Sequence, residues 1–230
     1  MTKAGIMQPY FFPYAQQFRH INQCDLWVIF DTPKYSRKSW LNRNRIINKS
    51  KLWSYISVPI KKKSSLNQIK EAKINGNEWI DIFFNKLKIY EKTKYYDEII
   101  FFLKETLNFE KEFLGDLNSS IIMKLCNYFE IDTEIIILSD LNLNLPQICP
   151  PGEWALKICK ELGIDYYSNA PGGENLFDKE KYYSENIKLD FYKPKKLKYL
   201  TSKFKFVEDL SVIDSLMFCG KDYLVDWFKS

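Results

Sequence analysis

Residues 5–45 read GIMQPYFFPYAQQFRHINQCDLWVIFDTPKYSRKSWLNRNR, and the spacing of apolar runs and breakers in this stretch sets the class of fold. Residues 4–7 are a short apolar run that stops at Gln8 and Pro9. Proline cannot donate to a sheet ladder, so a first strand ends there and a loop begins at Gln8. Pro13 then opens a segment, residues 15–22, in which Phe18 and Ile21 stand three apart as on one face of a helix. A second apolar run over residues 26–30 closes at Asp31. Strand, loop, helix and strand within about thirty residues is the length of a parallel crossover unit. Ligands of such units gather beyond the carboxyl ends of the strands, which here carry Gln8, Tyr10 and Tyr14 after the first strand and Asp31 after the second.

Beyond this stretch, residues 54–60 have the β-branched and aromatic content of a third strand, followed by a polar loop over 61–68. Apolar residues then recur at helical spacing through 77–90, 95–107 and 110–129, which predicts a helical insertion over roughly 77–130. The uninterrupted run 133–138 is a strand covered on both faces. A helix over 153–162 stops at Gly163, a short strand follows at 165–168, and residues 169–178 form a turn-rich loop carrying Gly172 and Gly173. Residues 187–192 and 198–206 look like two extended segments, as in a hairpin or an antiparallel edge, and 210–218 is helical. The order predicts a single α/β domain over 1–230, a three-layer sandwich around about five mostly parallel strands.

Composition narrows the function classes. Aromatic residues make up 17% of the chain, too many for a disordered one, and the net charge of +5 admits an anionic substrate without demanding nucleic acid. Five scattered cysteines form no CxxC or Cys/His pair, so no metal site is expected. Their odd number, with no signal-peptide pattern, points to reduced thiols in the cytoplasm. No apolar run approaches the roughly eighteen residues that span a bilayer, so no membrane insertion is expected.

The chemistry concentrates in the first forty-five residues. Lys34, Arg37, Lys38, Arg43 and Arg45 are interleaved with Tyr35, Trp40, Asn42 and Asn44. Planar guanidiniums bind phosphate or carboxylate in pairs of hydrogen bonds, and asparagine amides read hydroxyls and carbonyls. Asp31 is the candidate carboxylate to take a proton from an amine, its alternative being a cap or a salt bridge to Lys38 or Arg43. Gln8, Tyr10 and Tyr14 are either ligand groups or packing residues, and Gly172 and Gly173 either let backbone approach a ligand or merely make a turn.

MQPYFFPY at 7–14, FDTPKYSRKSWLNRNRI at 30–46 and GIDYYSNAPGG at 163–173, with Asp178, Tyr182, Tyr183 and LSVIDSLMFCG at 210–220, resemble the WbqC-like family over nearly the whole chain. It departs from the family's pattern at residues 15–17, commonly small or glycine-containing, and at His20, commonly aliphatic, which sets this sole histidine aside as a catalyst. The resemblance implies surface-polysaccharide (O-antigen) sugar biosynthesis, with a nucleotide-linked dideoxy amino sugar as partner and transfer of an acyl or aminoacyl group, such as glycyl, to its amine. On that reading Asp31, Tyr14 and Lys38 are the catalytic candidates. Gln8, Tyr10, Trp40, Asn42, Arg43, Asn44, Arg45, Gly172 and Gly173 bind substrate. No cofactor is specified beyond an activated acyl donor, a carrier-protein or coenzyme A thioester, which brings an acyl-carrier protein in as a partner. The opening loop is also similar to that of HIGH-type nucleotidyltransferases, with Tyr14 where their first histidine stands, so nucleotidyl transfer to a sugar phosphate is the rival. A non-catalytic sugar-nucleotide-binding accessory protein is the third reading.

Overall fold

Proline and polar breakers cut the apolar runs into strands of four or five residues. In the computed structural model, which describes residues 1–62, 67–108 and 111–230, five of these strands form one parallel sheet. β1 (Lys3–Met7) lies between β2 (Leu26–Ile29) and β6 (Tyr166–Asn169), β5 (Glu134–Ile137) flanks β2, and β7 (Lys188–Phe191) flanks β6. The β1–β2 register pairs Ala4 with Leu26 and Met7 with Ile29, and α1 (Ala15–Ile21) makes the crossover between them.

Alternation along these strands sends side chains into two cores, which makes the sandwich three layers thick. Trp27 and Ile29 join Phe18 and Ile21 of α1, the helices α2 (Trp79–Leu87), α3 (Tyr96–Leu107) and α4 (Leu114–Tyr128), and α7 (Val212–Lys229) in the larger core. Ala4, Ile6 and Val28 face the other way, against Ile158 and Cys159 of α5 (Trp154–Leu162) and Tyr182 of α6 (Lys179–Ser184). Gly5 has a packing reason. A Cβ on it would stand 2.2 Å from Cζ3 of Trp27, so its bare backbone is what lets the indole lie across β1.

Two expectations from the sequence are corrected. The predicted third strand is not in the sheet. Residues 53–57 form β4 (Trp53–Ser57), paired antiparallel with β3 (Arg43–Ile47) in a separate hairpin. β3, to which the sequence reading assigned no element, is a strand whose Asn44 and Ile46 point inward while Arg43 and Arg45 share the opposite face. The segment between β2 and β5 is therefore the hairpin plus the three helices, longer than the 77–130 expected. Likewise, residues 187–192 and 198–206 make no hairpin. β7 adds parallel to β6, and residues 198–206 hold no strand, crossing as a strap toward α7 instead.

Helix ends follow local chemistry. Gly163 caps α5 at a φ of 65°, in the left-handed region glycine tolerates, and Asp178 caps α6 through the N–H groups of Glu180 and Lys181. Part of the expected 61–68 loop and the start of the expected 110–129 helix lie outside the described residues. No described helix is long and apolar enough to cross a membrane.

Candidate functional site

The sheet order reverses beside β1. The chain passes outward from β1 through β2 to β5, then returns to place β6 on the other flank of β1. Open parallel sheets bind ligands outside the carboxyl ends of the strands at such a reversal. A cavity of 210 Å³ lies there, lined by Met7 after β1, by Tyr14, Gln16, Gln17 and His20 of the helix entry and α1, by Ala170 and Pro171 after β6, and by Tyr192, Pro194 and Asp209. A second cavity of 360 Å³ shares Tyr14, Gln16, Pro194 and Asp209 with it and continues along Lys196, Leu197, Tyr199, Phe206 and Glu208. We call them the inner and outer chambers of one cleft. Their size suits a ligand larger than a monosaccharide, since small-molecule sites run from about 300 to 1,000 Å³.

The strap from Tyr192 to Leu210 roofs this cleft and is fixed to α1 by side chains. Arg19, almost wholly buried, donates from Nη1 to the Tyr192 hydroxyl at 3.0 Å, and that hydroxyl donates to Oε1 of Gln16 at 2.8 Å. Gln16 Nε2 also donates to the Lys195 carbonyl. His20 stacks on Tyr192 with ring centroids 4.5 Å apart, and its Nε2 is 2.9 Å from Oγ of Ser168, the partner of Gly5 in the sheet. Farther along, the Tyr199 hydroxyl donates to the buried Asp214 carboxylate at 2.6 Å, which also accepts from Tyr90. Asp214 thereby ties the outer wall to α7.

Electrostatics distinguish the groups in the cleft. Burial, with the neighbouring Asp209, Tyr10 and Tyr192, pushes the Tyr14 phenol up to about 12, so it stays a hydrogen-bond donor. Burial and then Glu208 raise the Asp209 carboxyl above the ordinary carboxylate value, against the opposing pull of Arg45. Asp209 also holds a φ of 54°, an uncommon left-handed conformation for a residue with a side chain. Burial pulls the His20 imidazole down to about 3, with Lys3 adding to the shift, so the ring is neutral. Because this is the sole histidine, the test is clean: its C–H proton resonances should stay flat between pH 5 and pH 8 in a one-dimensional NMR titration, and a midpoint near 6.5 would contradict the buried, neutral ring.

The residues singled out from sequence divide sharply. Tyr14 is in the cleft, in both chambers. Asp31 is not. It closes β2, on the far side of β1 from the reversal, and is 3% exposed, with its carboxylate accepting from the Ser139 hydroxyl at 2.5 Å and the Ser139 N–H at 3.1 Å. Burial raises its pKa while those bonds from Ser139 lower it. Gln8 is partly exposed after β1, and Tyr10 packs against the larger core, its pKa raised by burial.

Asn42 and Asn44, taken from sequence as substrate ligands, each hold backbone through the amide nitrogen. Asn42 Nδ2 donates to the Val58 carbonyl at 3.0 Å, and Asn44 Nδ2 donates to the carbonyls of Phe11 and Phe12 at 3.1 and 2.8 Å. The amide of Asn44 is thus the clamp of the QPYFFP loop, seconded by Asn118, whose Nδ2 donates to the carbonyls of Pro9 and Leu41.

The guanidiniums lie on the outer face of the hairpin. Arg43 stacks on Tyr55 at 4.1 Å and donates to the Lys38 carbonyl. Arg45 stands between Trp40 at 5.3 Å and Trp53 at 5.5 Å, and its Nη2 donates to the Asp209 carbonyl at 3.0 Å. Trp40 and Lys38 are exposed, Lys38 with a φ of 57°. Of the basic cluster, Arg45 is the member that touches a cleft residue, and it does so through backbone. Gly172 and Gly173 belong to a 3-10 turn, Pro171–Leu176, beside the inner chamber. A Cβ on Gly172 would meet open space, and one on Gly173 would come within 2.6 Å of Asn169 Nδ2.

Sequence reading missed Gln16, Gln17, Tyr192, Lys196 and Asp209. Three of these left a signal. Tyr192 ends a predicted extended segment, and the Gln16-Gln17 pair opens the helix that follows the first strand end, both places where a parallel sheet presents its ligand groups. Among the described residues, no group of three or more His, Cys, Asp or Glu side chains is placed to hold a metal ion.

Comparison with known proteins agrees on the extent of the chain involved. The sequence model of the WbqC-like protein family matches residues 8–225. An uncharacterized protein of Mycobacterium tuberculosis is 26% identical over 195 residues, covering 84% of this chain and 82% of that protein. No solved structure matches at a significant level.

Proposed function

Since the chain belongs to the WbqC-like protein family, we propose that it is a transferase of surface-polysaccharide (O-antigen) sugar biosynthesis that places an acyl or aminoacyl group on the amine of a nucleotide-linked amino sugar. The observation that supports this most is the charge of the inner chamber. Among the described residues its lining carries one carboxylate, Asp209, a neutral imidazole, the phenols of Tyr14 and Tyr192, both raised by burial, and amides, with no lysine or arginine side chain. Such a chamber favours a sugar bearing an amine and rejects phosphate. Lys196 and the rings of Tyr199 and Phe206 line the outer chamber, which suits the nucleotide end.

In this reading Asp209 takes over the part that sequence reasoning gave to Asp31. The sugar ammonium gives a proton to the Asp209 carboxylate. The freed lone pair attacks the carbonyl carbon of a carrier-protein or coenzyme A thioester, the C–N bond forms and the C–S bond breaks, the second proton of the nitrogen passes to the departing thiolate, and Asp209 then releases the first proton to solvent. A carboxylate raised above its usual pKa by burial is a better match to an amine than an exposed one. Tyr14, held protonated, donates a hydrogen bond to the sugar.

A thermal-shift screen of thymidine- and uridine-diphosphate amino sugars tests the binding half of the proposal. A ligand present at 100 times its Kd stabilises the folded state by about 2.7 kcal/mol, a rise of roughly 5–10 °C for a chain of this length. Ligands that raise the melting temperature are then incubated with acyl thioesters and the mass of the sugar is followed. A gain equal to the acyl group is expected. Binding without any such gain would instead mark a non-catalytic sugar-nucleotide-binding protein.

A further inference from the structure

Gln17 sits on the first turn of α1 and lines the inner chamber, yet it is 3% exposed and neither Oε1 nor Nε2 of its amide has a hydrogen-bond partner. Its neighbours show how unusual this is. Gln16 is committed at both ends to Tyr192 and Lys195, Arg19 to Tyr192 and Lys193, and His20 to Ser168. A buried amide left unpaired at both ends is a standing cost to the fold, and folds retain such costs mainly where function uses them. The amide also makes no bond that it must give up when its side chain turns toward a ligand.

We infer that Gln17 is a specificity-determining residue of the cleft, whose amide pairs with an adjacent hydrogen-bond donor and acceptor, an amine beside a hydroxyl, on the sugar ring held in the inner chamber. The inference rests on the reading of the cleft as an amino-sugar site. A carboxamide offers one acceptor and one donor side by side, which matches two vicinal polar groups on a ring and does not match a phosphate, whose oxygens are all acceptors. The neighbouring Asp209 carboxylate agrees with this, since it attracts the amine and repels an anion. The ligand thus enters sugar first, with its diphosphate toward Lys196 in the outer chamber.

The test uses the full chain and three probes: glucosamine, in which hydroxyls flank the amine; cyclohexylamine, a ring amine with no neighbouring hydroxyl; and uridine diphosphate. Ligand-observed NMR titrations give the dissociation constants. The wild type is expected to bind glucosamine about tenfold tighter than cyclohexylamine, the value of two well-placed hydrogen bonds. Gln17→Met keeps the length of the side chain and removes both polar atoms. It should erase that tenfold preference, leave uridine diphosphate binding unchanged, and raise the melting temperature by a few degrees, because two unpaired buried polar atoms are gone. Gln17→Leu should behave alike if the longer thioether packs badly.

A melting temperature that falls in both variants while the preference for glucosamine survives would make Gln17 a packing residue and overturn the inference alone. Failure of the wild type to bind either ring amine would overturn the reading of the cleft together with it.

Discussion

Asp209→Asn lowers turnover by about 10²–10⁴-fold, the usual worth of a positioned general base, and raises KM as well, because the carboxylate that attracts the ammonium is gone. Asparagine accepts the left-handed backbone that Asp209 adopts, and the Asp209 carbonyl that receives Arg45 is untouched by the substitution, so the fold should survive. The pH dependence supplies a second readout. Burial and Glu208 raise the Asp209 carboxyl, so kcat/KM in the wild type should climb through a limb lying above the ordinary carboxylate range, and the asparagine variant should lack that limb. Stability runs the opposite way. As pH rises past the unfolded carboxyl's value, the unfolded chain gives up its proton first, so the folded wild type loses stability until pH passes the raised value. The asparagine variant has no such loss. Its melting temperature should therefore gain on the wild type above that window and lose the advantage below it. Loss of activity matched by an equal loss of stability at every pH would mark Asp209 as structural.

Asn44→Ala should cost about 2–5 kcal/mol of stability. The alanine strands the buried Phe11 carbonyl and the Arg45 N–H that Asn44 Oδ1 accepts, at about 1–3 kcal/mol for each unsatisfied group, while the Phe12 carbonyl keeps the Ser211 hydroxyl. For a chain of this length the melting temperature should fall by roughly 10 °C. Urea titration measures the loss. Arg43→Ala, on the partly exposed hairpin face, should cost under about 1 kcal/mol, the scale of an exposed cation–π contact. The contrast separates the two kinds of residue that share the stretch WLNRNR. Equal small losses in both would contradict the clamp assigned to Asn44.

That stretch also shows where sequence reasoning succeeds and where it stops. The sandwich was legible because apolar runs of four to six residues, cut by Pro9, Asp31 and Gly163, leave few alternatives to short parallel strands with helices between them. The first crossover unit was read nearly to the residue, with Tyr14 at its strand-end loop. The charges of Arg43 and Arg45 hid β3, although the alternation of arginine outward with Asn44 and Ile46 inward carries the period of a strand. The fate of Asn44 was beyond local pattern altogether, since its partners lie 32 and 33 positions earlier in the chain.

Asp209 and Asp31 make the same point from opposite sides. Asp31 stands at a strand end, where ligand groups gather, but the strand it closes lies away from the place where the sheet order reverses, and strand order is set by pairings that no short window of sequence encodes. Asp209 reads as a residue near the start of a helix. Its place in the cleft depends on a strap of irregular backbone that crosses from β7 to α7, held by Tyr192, Lys195 and Tyr199. Irregular segments carry no periodicity, so their residues are the last to be placed by pattern alone.

The central claim is that the ligand lies at the reversal of the sheet and not on the arginine-bearing hairpin. A ¹H–¹⁵N correlation titration of the assigned protein with the nucleotide-linked amino sugar that most raises its melting temperature addresses this directly. The largest shifts should fall on Tyr14, Gln17, Tyr192 and Asp209, with Lys196 next. Shifts centred on Trp40, Arg43 and Tyr55, with the cleft residues unmoved, would contradict it.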